Sequence, residues 1–254
     1  MAVVLYWMPI SHPSQAARKM LDLKGVDYER VDVLPLNQRV HLRLAGFRRG
    51  TVPALKLDGQ KVQGSRHIAR ALDERWPEPP LFPVDPEARA RVEHAEQWGE
   101  EELQPVPRRL FRFAAAENPE LRRGVARVAG LPAAGLVAAA SKPAAAYYAR
   151  TIEADGRRAT EAGVRADLAA LPAMLDRADR LLADGTLALD PPNAAALQIL
   201  ATVRLLDAFE DLHDHVAAHS CAAPARDLFA DYPARLPRVL EPAWLEPLLV
   251  PGPA

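Results

Sequence analysis

The sequence predicts an α+β chain of two domains, in which a small α/β unit precedes a larger unit made of helices. Three observations give this prediction. Apolar residues in the first 80 positions alternate between strand and helix periods. Five prolines fall between Trp76 and Pro86, which indicates an extended, semi-rigid connector. Beyond it the apolar pattern is helical and indicates no strand. We therefore place the domains at residues 1–80 and 88–254, with a proline-rich linker at 77–87.

The first elements predict a β-α-β unit. Val3–Trp7 is an apolar run of strand length, and Gln15–Leu23 carries apolar residues at helical spacing. Lys24-Gly25 is a C-terminal signal for that helix, and Tyr28–Val33 is predicted as the second strand. A β-α-β unit of about 30 residues normally pairs its strands in parallel through a right-handed crossover.

Further elements complete the N-terminal unit. They are a short helix over Leu36–Leu44, strands over Ala54–Leu57 and Lys61–Gln63, and a helix over His67–Arg75. Asp58-Gly59 between the two strands is typical of a tight hairpin turn. Ser65 is predicted to cap the last helix, whose apolar residues recur at helical spacing. The element order is therefore βαβ-α-ββα.

The second unit is predicted to be all-helical. Helical patterns cover Glu87–Glu102, an alanine-rich region between residues 120 and 155, Thr160–Asp184 and Asn193–His219. The proline-rich segment from Ala222 onward is predicted to form one short helix and then coil against the surface.

Composition and charge exclude several kinds of protein. The 32 basic and 33 acidic residues give a net charge of −1, so no basic field favours nucleic acid. Cys221 is the single cysteine, so the chain cannot form an internal disulfide, a CxxC redox pair or a cysteine-based zinc cluster.

We expect a cytoplasmic, bacterial protein. The N-terminus shows no basic-then-apolar signal pattern. The uncharged stretch Val128–Ser141 is shorter than the roughly 20 residues of a membrane span, and Pro132 interrupts it. Only five of the 32 basic residues are lysine, and this bias, with abundant alanine and proline, is typical of GC-rich bacterial genomes.

The loop from Trp7 to Ser14 joins the first strand to the first helix. Pro13 suits the first turn of a helix, so Ser11 lies just ahead of the helix N-terminus. Free amides and the positive end of the helix dipole favour an anion there. From these residues alone, Ser11 is either a helix N-cap or a hydroxyl that binds a reacting anion.

Two further motifs lie at the ends of predicted elements. Thr51-Val52-Pro53 places a proline at the start of a strand, where we expect a cis Val52–Pro53 bond. The N–H and C=O of Val52 would then form an unpaired, strand-like edge that can bind a peptide. Gly64-Ser65 opens a helix and offers a second amide-rich site for an anion. The three features in this order indicate a site for a small peptide.

These motifs resemble those of the glutathione transferase family. The matching segments are Leu5-Tyr6, Ser11-His12-Pro13-Ser14 with Arg18, Gly50-Thr51-Val52-Pro53-Ala54-Leu55, Gly64-Ser65-x-x-Ile68 and, less sharply, Pro192-Asn193-Ala194-Ala195-Ala196-Leu197. The resemblance implies a thioredoxin-like, glutathione-binding N-terminal domain, an all-helical C-terminal domain and a homodimer.

The resemblance also assigns roles to individual residues. Ser11 would donate a hydrogen bond to the glutathione sulfur, and Val52, held by cis Pro53, would bind the cysteinyl part through its main chain. Gly64, Ser65 and the amides that follow would receive the γ-glutamyl carboxylate, and Gln38 would contact the glycyl end. The implied substrate-pocket residues are Trp98, Arg108, Arg109 and Arg112. These arginines either bind an acidic substrate or form a solvated basic face.

Three positions depart from the family's pattern. Gly64 stands where an acidic residue or Gln usually contacts the glutathione amino group, and Gln63 is the neighbouring replacement. Phe47-Arg48-Arg49-Gly50 replaces Asn-Pro-x-Gly before the cis proline. Ala196 replaces the Asp that closes a capping box begun by Asn193.

Two other features admit two interpretations each. Asp211, His215 and His219 share one face of a predicted helix, where they either bind a metal or form a polar surface. The second interpretation predicts no metal site. Tyr6 either activates the thiol in place of Ser11 or packs in the core.

The expected function is that of a glutathione-transferase-like enzyme, which activates glutathione or another small thiol for attack on a small electrophile. We expect no bound cofactor, nucleic acid or membrane partner. One alternative is a non-catalytic ligand-binding or assembly module, which the departures favour. Another is thiol-dependent isomerisation of an unsaturated diacid, which the arginines near 108–112 favour. Glutaredoxin-type reduction is excluded because Ser11 and Ser14 occupy the two cysteine positions.

Overall fold

The computed structural model describes residues 2–34, 37–151, 156–233 and 235–249. A sheet is formed by β1 (Val3–Trp7), β2 (Glu29–Asp32), β3 (Ala54–Leu57) and β4 (Gln60–Gln63), in the order β2-β1-β3-β4. β1 pairs in parallel with β2, where Leu5 lies opposite Arg30, and antiparallel with β3, where Leu5 lies opposite Leu55. β4 pairs antiparallel with β3. The predicted parallel pairing of β1 with β2 and the predicted hairpin of β3 and β4 are confirmed.

Three helices accompany this sheet: α1 (His12–Leu23), α2 (Gln38–Leu44) and α3 (Ser65–Arg75). The order βαβ-α-ββα is therefore as predicted. α1 begins three residues earlier than its apolar pattern indicates, since Ser11 caps it. The predicted start of α2 at Leu36 lies outside the described residues. Ser65 is the first residue of α3 rather than its cap, because Gly64, at φ +92°, holds the N-cap position.

Alternate residues of β1 face two cores, as the period of a strand requires. Val3, Leu5 and Trp7 pack into the larger core, which continues through α1 and α3 into the helical region. Tyr6 points to the other face and packs with Val33, Leu42, Phe47 and Ala54 in a smaller core under α2. The rings of Tyr6 and Phe47 pack edge to face, with 5.3 Å between their centroids.

The rest of the described chain is helical, as predicted. Its helices are α4 (Pro86–Trp98), α5 (Pro105–Glu117), α6 (Pro119–Val128), α7 (Ala134–Ala140), α8 (Lys142–Ala149), α9 (Glu161–Ala183), α10 (Ala194–Ala208), α11 (His213–Ala217), α12 (Ala222–Leu228) and α13 (Glu246–Leu249). A π-helical turn spans Gly99–Leu103, and a 3-10 turn spans Pro242–Leu245. Among the described residues, no helix is both long and apolar enough to cross a bilayer.

The predicted helix Glu87–Glu102 ends earlier, at Trp98, because α10 passes close to the chain at Gly99. A Cβ built at Gly99 would lie 2.7 Å from Oε1 of Gln198 and 3.0 Å from Cγ1 of Ile199. The glycine therefore leaves room for the side chains of Gln198 and Ile199, at the point where α4 gives way to the π-helical turn.

The predicted helix Asn193–His219 is divided into α10 and α11. Asn193 caps α10 by accepting a hydrogen bond from the N–H of Ala196 at 2.9 Å. α10 stops at Ala208 because Phe209 turns extended and forms a parallel bridge with Leu236. The C-terminal segment thus takes the backbone groups that would have continued the helix.

A buried lysine ties α1 to the proline-rich segment that follows α3. The Nζ of Lys24 donates to Oδ1 of Asp73 at 2.9 Å, to the carbonyl of Trp76 at 2.5 Å and to the carbonyl of Pro79 at 2.6 Å. All three donors of the ammonium are satisfied, as burial of a charge requires. Leu81 N–H also donates to Asp73, at 2.7 Å.

Candidate functional site

A cavity of about 370 Å³ opens between the loops beside β1 and β3 and the helices α5 to α8. Eight of the predicted site residues line it: Ser11, Gln38, Val52, Pro53, Gly64, Ser65, Arg108 and Arg112. They come from stretches of chain that are far apart in sequence. The fold therefore brings the three motifs of the N-terminal unit to one cavity.

Ser11 lies at the start of α1, on the cavity wall. Its Oγ accepts a hydrogen bond from the N–H of Ser14 at 3.4 Å, which is long for such a bond. The N-cap interpretation is thus present in the structure. The hydroxyl hydrogen is not used by this bond and is free to point toward an acceptor in the cavity.

Val52 supplies an unpaired backbone edge to the same wall. The Val52–Pro53 peptide bond is cis, as expected, and pairing of β3 begins at Ala54. Among the described residues, the N–H and C=O of Val52 make no backbone hydrogen bond. This edge can therefore pair with an extended ligand.

Ser65 and the first amides of α3 form the next part of the wall. Gly64 donates its N–H to the carbonyl of Pro53 at 3.0 Å, which holds the start of α3 beside the Val52 edge. Ser65 is buried, at 3% exposure. The amides at the beginning of an eleven-residue helix favour a bound carboxylate.

Gln63, the neighbouring replacement for the side chain that Gly64 lacks, lines the cavity and bonds the loop before Val52. Its amide oxygen accepts from the N–H of Arg49 at 3.0 Å, and its Nε2 donates to the carbonyls of Arg49 and Thr51 at 2.9 and 3.2 Å. Gln63 thus holds the loop before Val52. Gln38 is partly engaged with the same loop, since its Nε2 donates to the carbonyl of Gly50 at 3.0 Å.

Two of the four predicted substrate-pocket residues do not line the cavity. Arg108 and Arg112 are one turn apart on α5 and share the face toward the cavity, whereas Arg109 lies about 100° around the helix. Arg109 is buried and paired with Asp167 of α9 at 2.6 Å. Trp98 is buried in the large core, with Arg177 4.5 Å from its ring centroid. The prediction was wrong for Trp98 and Arg109 because the direction in which helix residues face was not fixed.

Residues 5–80 match the family described as Glutathione S-transferase, N-terminal domain. This match covers the predicted N-terminal domain, which is thus similar to the N-terminal domain of glutathione S-transferases. Over 95 residues, 34% of this chain and 43% of the relative, the chain is 39% identical to the maleylacetoacetate isomerase of Pseudomonas aeruginosa. It thus spans less than half the length of the curated relatives it matches.

Solved structures extend the likeness to the helical region. A glutathione S-transferase from Rhodospirillum rubrum F11 superposes with a TM-score of 0.57 and 19% identity, covering 96% of this chain and 99% of that one. The β-etherase LigF from Sphingobium sp. strain SYK-6 superposes with a TM-score of 0.59 and 21% identity, covering 82% and 84%. At these identities the likeness shows the fold: the chain has the two-part architecture of glutathione S-transferases.

Glu100 and His12 line the cavity of this glutathione S-transferase fold, although neither is among the predicted site residues. Glu100, in the π-helical turn, lines the cavity and accepts from Nη1 of Arg66 at 3.2 Å. The run Glu100-Glu101-Glu102 was the sequence feature that could have indicated this part of the wall, but it was interpreted as the end of the predicted helix Glu87–Glu102. Beside it the buried Glu96 binds Arg70 at 2.7 Å, and burial raises the pKa of Glu96.

His12 directly follows Ser11 in the sequence. It is 3% exposed and lines the cavity. Its Nε2 is buried without a hydrogen-bond partner among the described residues. Burial, and then the charge of Arg108, hold the pKa of His12 well below its ordinary value, so the ring is neutral at pH 7.

The predicted helix face of Asp211, His215 and His219 does not form, since only His215 of the three lies within α11. Asp211 instead accepts from the N–H of Val239 at 2.7 Å. Nδ1 of His219 faces Asp179 of α9 at 2.8 Å and Asp176 at 3.8 Å.

Cys221 and Tyr6 lie inside the protein. Cys221 is fully buried, and burial followed by the carboxylate of Asp179 raises the pKa of its thiol, which makes the sulfur unreactive. Tyr6 packs in the core under α2, as expected if it is a core residue and not the group that activates the thiol.

Proposed function

We propose that this chain binds glutathione, or another small thiol of similar shape, and activates its sulfur for attack on a small electrophile. One observation carries this proposal: Ser11, the unpaired edge of Val52 and the start of α3 at Ser65 line a single cavity. The N-terminal domain family supports glutathione as the thiol. Ser11 is then a donor that stabilises the thiolate of the bound peptide, not a nucleophile.

The free energies are sufficient for thiol activation near pH 7. A free thiol has a pKa near 8.5, and one pKa unit corresponds to about 1.4 kcal/mol. A hydrogen bond from Ser11 to a charged sulfur contributes about 1.5–3 kcal/mol, and the N-terminus of α1 about 0.3–1 kcal/mol. Together they lower the thiol pKa by about 1–3 units. The proton leaves to solvent and the thiolate forms a C–S bond with the electrophilic carbon. The leaving group of that carbon departs with its electron pair or, for an activated double bond, the π pair moves to the neighbouring carbon and is protonated from solvent.

The peptide part of the thiol would be oriented by the other residues of the cavity. Val52 would exchange two main-chain hydrogen bonds with the cysteinyl part, and Ser65 with the α3 amides would bind the γ-glutamyl carboxylate. Gln38 keeps one N–H beyond its bond to Gly50, which suits the glycyl carboxylate. Glu100, which lines the cavity and also pairs with Arg66, would supply the negative charge for the γ-glutamyl ammonium that Gly64 cannot.

The opposite wall would receive the electrophile. It is mostly apolar, with Phe111, Ala115, Val125, Leu131 and Val137 among its lining residues. We infer that the electrophile is largely apolar and carries its leaving group or acceptor carbon toward Ser11.

A second candidate function is thiol-dependent isomerisation of an unsaturated diacid. Arg108 and Arg112 favour it, because two guanidinium groups on one cavity wall suit two carboxylates. The partial match to maleylacetoacetate isomerases points the same way. Replacing Arg112 by Met would then abolish diacid turnover while leaving conjugation of an uncharged electrophile intact.

The first test is thermal melting with and without millimolar glutathione. A ligand at 100 times its Kd adds about 2.7 kcal/mol to the free energy of unfolding, which raises the melting temperature by several degrees. Absence of a shift with any small thiol would favour the non-catalytic module instead.

The second test concerns Ser11. With an aryl halide as electrophile, Ser11→Ala is expected to lower kcat/KM about 10- to 100-fold and to raise the pKa of the bound thiol by 1–2 units. Tyr6→Phe is the matched control and should change neither. The reverse result would show that Tyr6, not Ser11, activates the thiol.

We also propose that the protein is a homodimer in the bacterial cytoplasm. Sedimentation velocity measures the oligomeric state, and cell fractionation measures the compartment.

A further inference from the structure

The carbonyl groups of the loop before Ser11 are each held by a hydrogen bond. The carbonyl of Met8 accepts from the N–H of Ser11 at 2.9 Å, and the carbonyl of Pro9 accepts from Nε2 of Gln15 at 2.5 Å. The carbonyl of Ile10 accepts from the hydroxyl of Tyr232 at 2.6 Å. The first two donors are local, whereas Tyr232 is 222 positions away in sequence.

Tyr232 is well held in this place. It follows α12 in the C-terminal segment and is 6% exposed, with the guanidinium of Arg204 5.3 Å from its ring centroid. The preceding residue, Asp231, pairs with Arg18 of α1 at 2.7 Å. Burial raises the pKa of Tyr232, so its hydroxyl keeps the proton that it donates. The C-terminal segment therefore bonds both α1, through Asp231, and the loop that precedes α1, through Tyr232.

The bond from Tyr232 acts on the peptide plane that joins Ile10 to Ser11. The C=O of Ile10 and the N–H of Ser11 belong to one rigid plane. Tyr232 holds the oxygen side of this plane, and the carbonyl of Met8 holds the nitrogen side. With both sides fixed, the Cα of Ser11 has a defined position on the cavity wall.

We propose that Tyr232 is a positioning residue, which places the Ser11 hydroxyl for the thiol by clamping the peptide plane before it. This inference rests on the proposed function, since Ser11 must be the thiol donor. Without the clamp the plane is held on one side only. Ser11 is then free to shift along the cavity wall, which changes the distance from its hydroxyl to the bound sulfur.

The decisive variant is Tyr232→Phe, which keeps the ring and removes the hydroxyl. We expect kcat/KM for conjugation to fall roughly three- to tenfold, and the pKa of the bound thiol to rise, because one buried hydrogen bond is lost. Tyr28→Phe is the matched control: its hydroxyl bonds Asp22 near the other end of α1, at 2.8 Å. The control should leave rate and thiol pKa unchanged.

A double-mutant cycle separates positioning from stability. If Tyr232 acts through Ser11, Tyr232→Phe has no further effect on the thiol pKa in a Ser11→Ala background. Equal effects of Tyr232→Phe in both backgrounds would overturn the proposal, as would an unchanged pH profile of the single variant.

Amide hydrogen exchange tests the clamp without any thiol. Tyr232→Phe should speed exchange in the peptide covering residues 8–14, and Tyr28→Phe should not. If Tyr232→Phe speeds this exchange but the wild-type protein shows no thiol activity, the clamp is supported and only the proposed function is refuted. Unchanged exchange would refute the clamp itself.

Discussion

The guanidinium of Arg109 and the carboxylate of Asp167 lie side by side between α5 and α9. Nε–Oδ2 and Nη2–Oδ1 are both 2.6 Å, and both side chains are less than 5% exposed. Such a two-point pair fixes the relative position of the two helices. It also removes Arg109 from the cavity that Arg108 and Arg112 line.

Breaking this pair on one side should be strongly destabilising. Asp167→Ala leaves a buried guanidinium without its main partner, so we expect a loss of about 3–5 kcal/mol in the free energy of unfolding. Urea denaturation followed by circular dichroism measures it. Glu161→Ala is the control, because its exposed pair with Arg165 is worth about 0.5 kcal/mol or less. Similar losses in the two variants would contradict this account.

His12 should make stability depend on pH below about 7. Its folded-state pKa is lowered, so the unfolded chain binds the proton more readily and stability falls as the pH drops through the unfolded value near 6.5. His215, whose pKa burial also lowers, contributes in the same direction. His12→Phe should flatten the fall of melting temperature over this range. A slope equal to that of the wild type would refute the assignment.

Lys24 should be needed for the packing of α1 against the segment after α3. Lys24→Met keeps the aliphatic stem but leaves the Asp73 carboxylate and two carbonyls without the ammonium, at a cost of about 3–5 kcal/mol. Lys61→Met, at an exposed position, should change stability by less than about 0.5 kcal/mol. Thermal melting of the two variants measures the difference, and equal melting temperatures would contradict this role of Lys24.

The cap of α10 should matter more than an exposed cap. Asn193 is 5% exposed, donates to the carbonyl of Thr186 at 2.9 Å and accepts from Ala196. Asn193→Ala is expected to cost about 2–3 kcal/mol, because two buried hydrogen bonds are lost. Thr160→Ala removes the single, exposed cap bond of α9 and should cost about 1 kcal/mol. A chemical denaturation series with equal losses would show that burial adds nothing to this cap.

Local signals were enough for most of the N-terminal fold. The period of the apolar residues gave β1 and β3 with their observed bounds, and proline at position 53 indicated the observed cis bond. Thr160 and Asn193 were visible as the starts of α9 and α10, because a cap depends on residues three positions away.

Features set by distant contacts could not be predicted in this way. α10 ends where Phe209 meets Leu236, and the loop of Ser11 depends on Tyr232, which no local pattern connects to it. The orientation of Arg109 depends on Asp167, 58 positions further on. Sequence spacing placed the motifs that use backbone groups and missed the side chains whose direction is decided by packing.

The two walls of the cavity are encoded by separate stretches of the chain. The groups proposed to hold the thiol lie at or before the first turn of α3, apart from Glu100, whereas the apolar groups opposite begin at Phe111. Replacing α5 to α8 with other helices would therefore change which electrophile the cavity accepts, without changing the groups of the N-terminal domain that are proposed to bind the thiol. Such a chimaera must keep its original C-terminal segment, because Tyr232 bonds the loop before Ser11 and Asp231 pairs with Arg18 of α1.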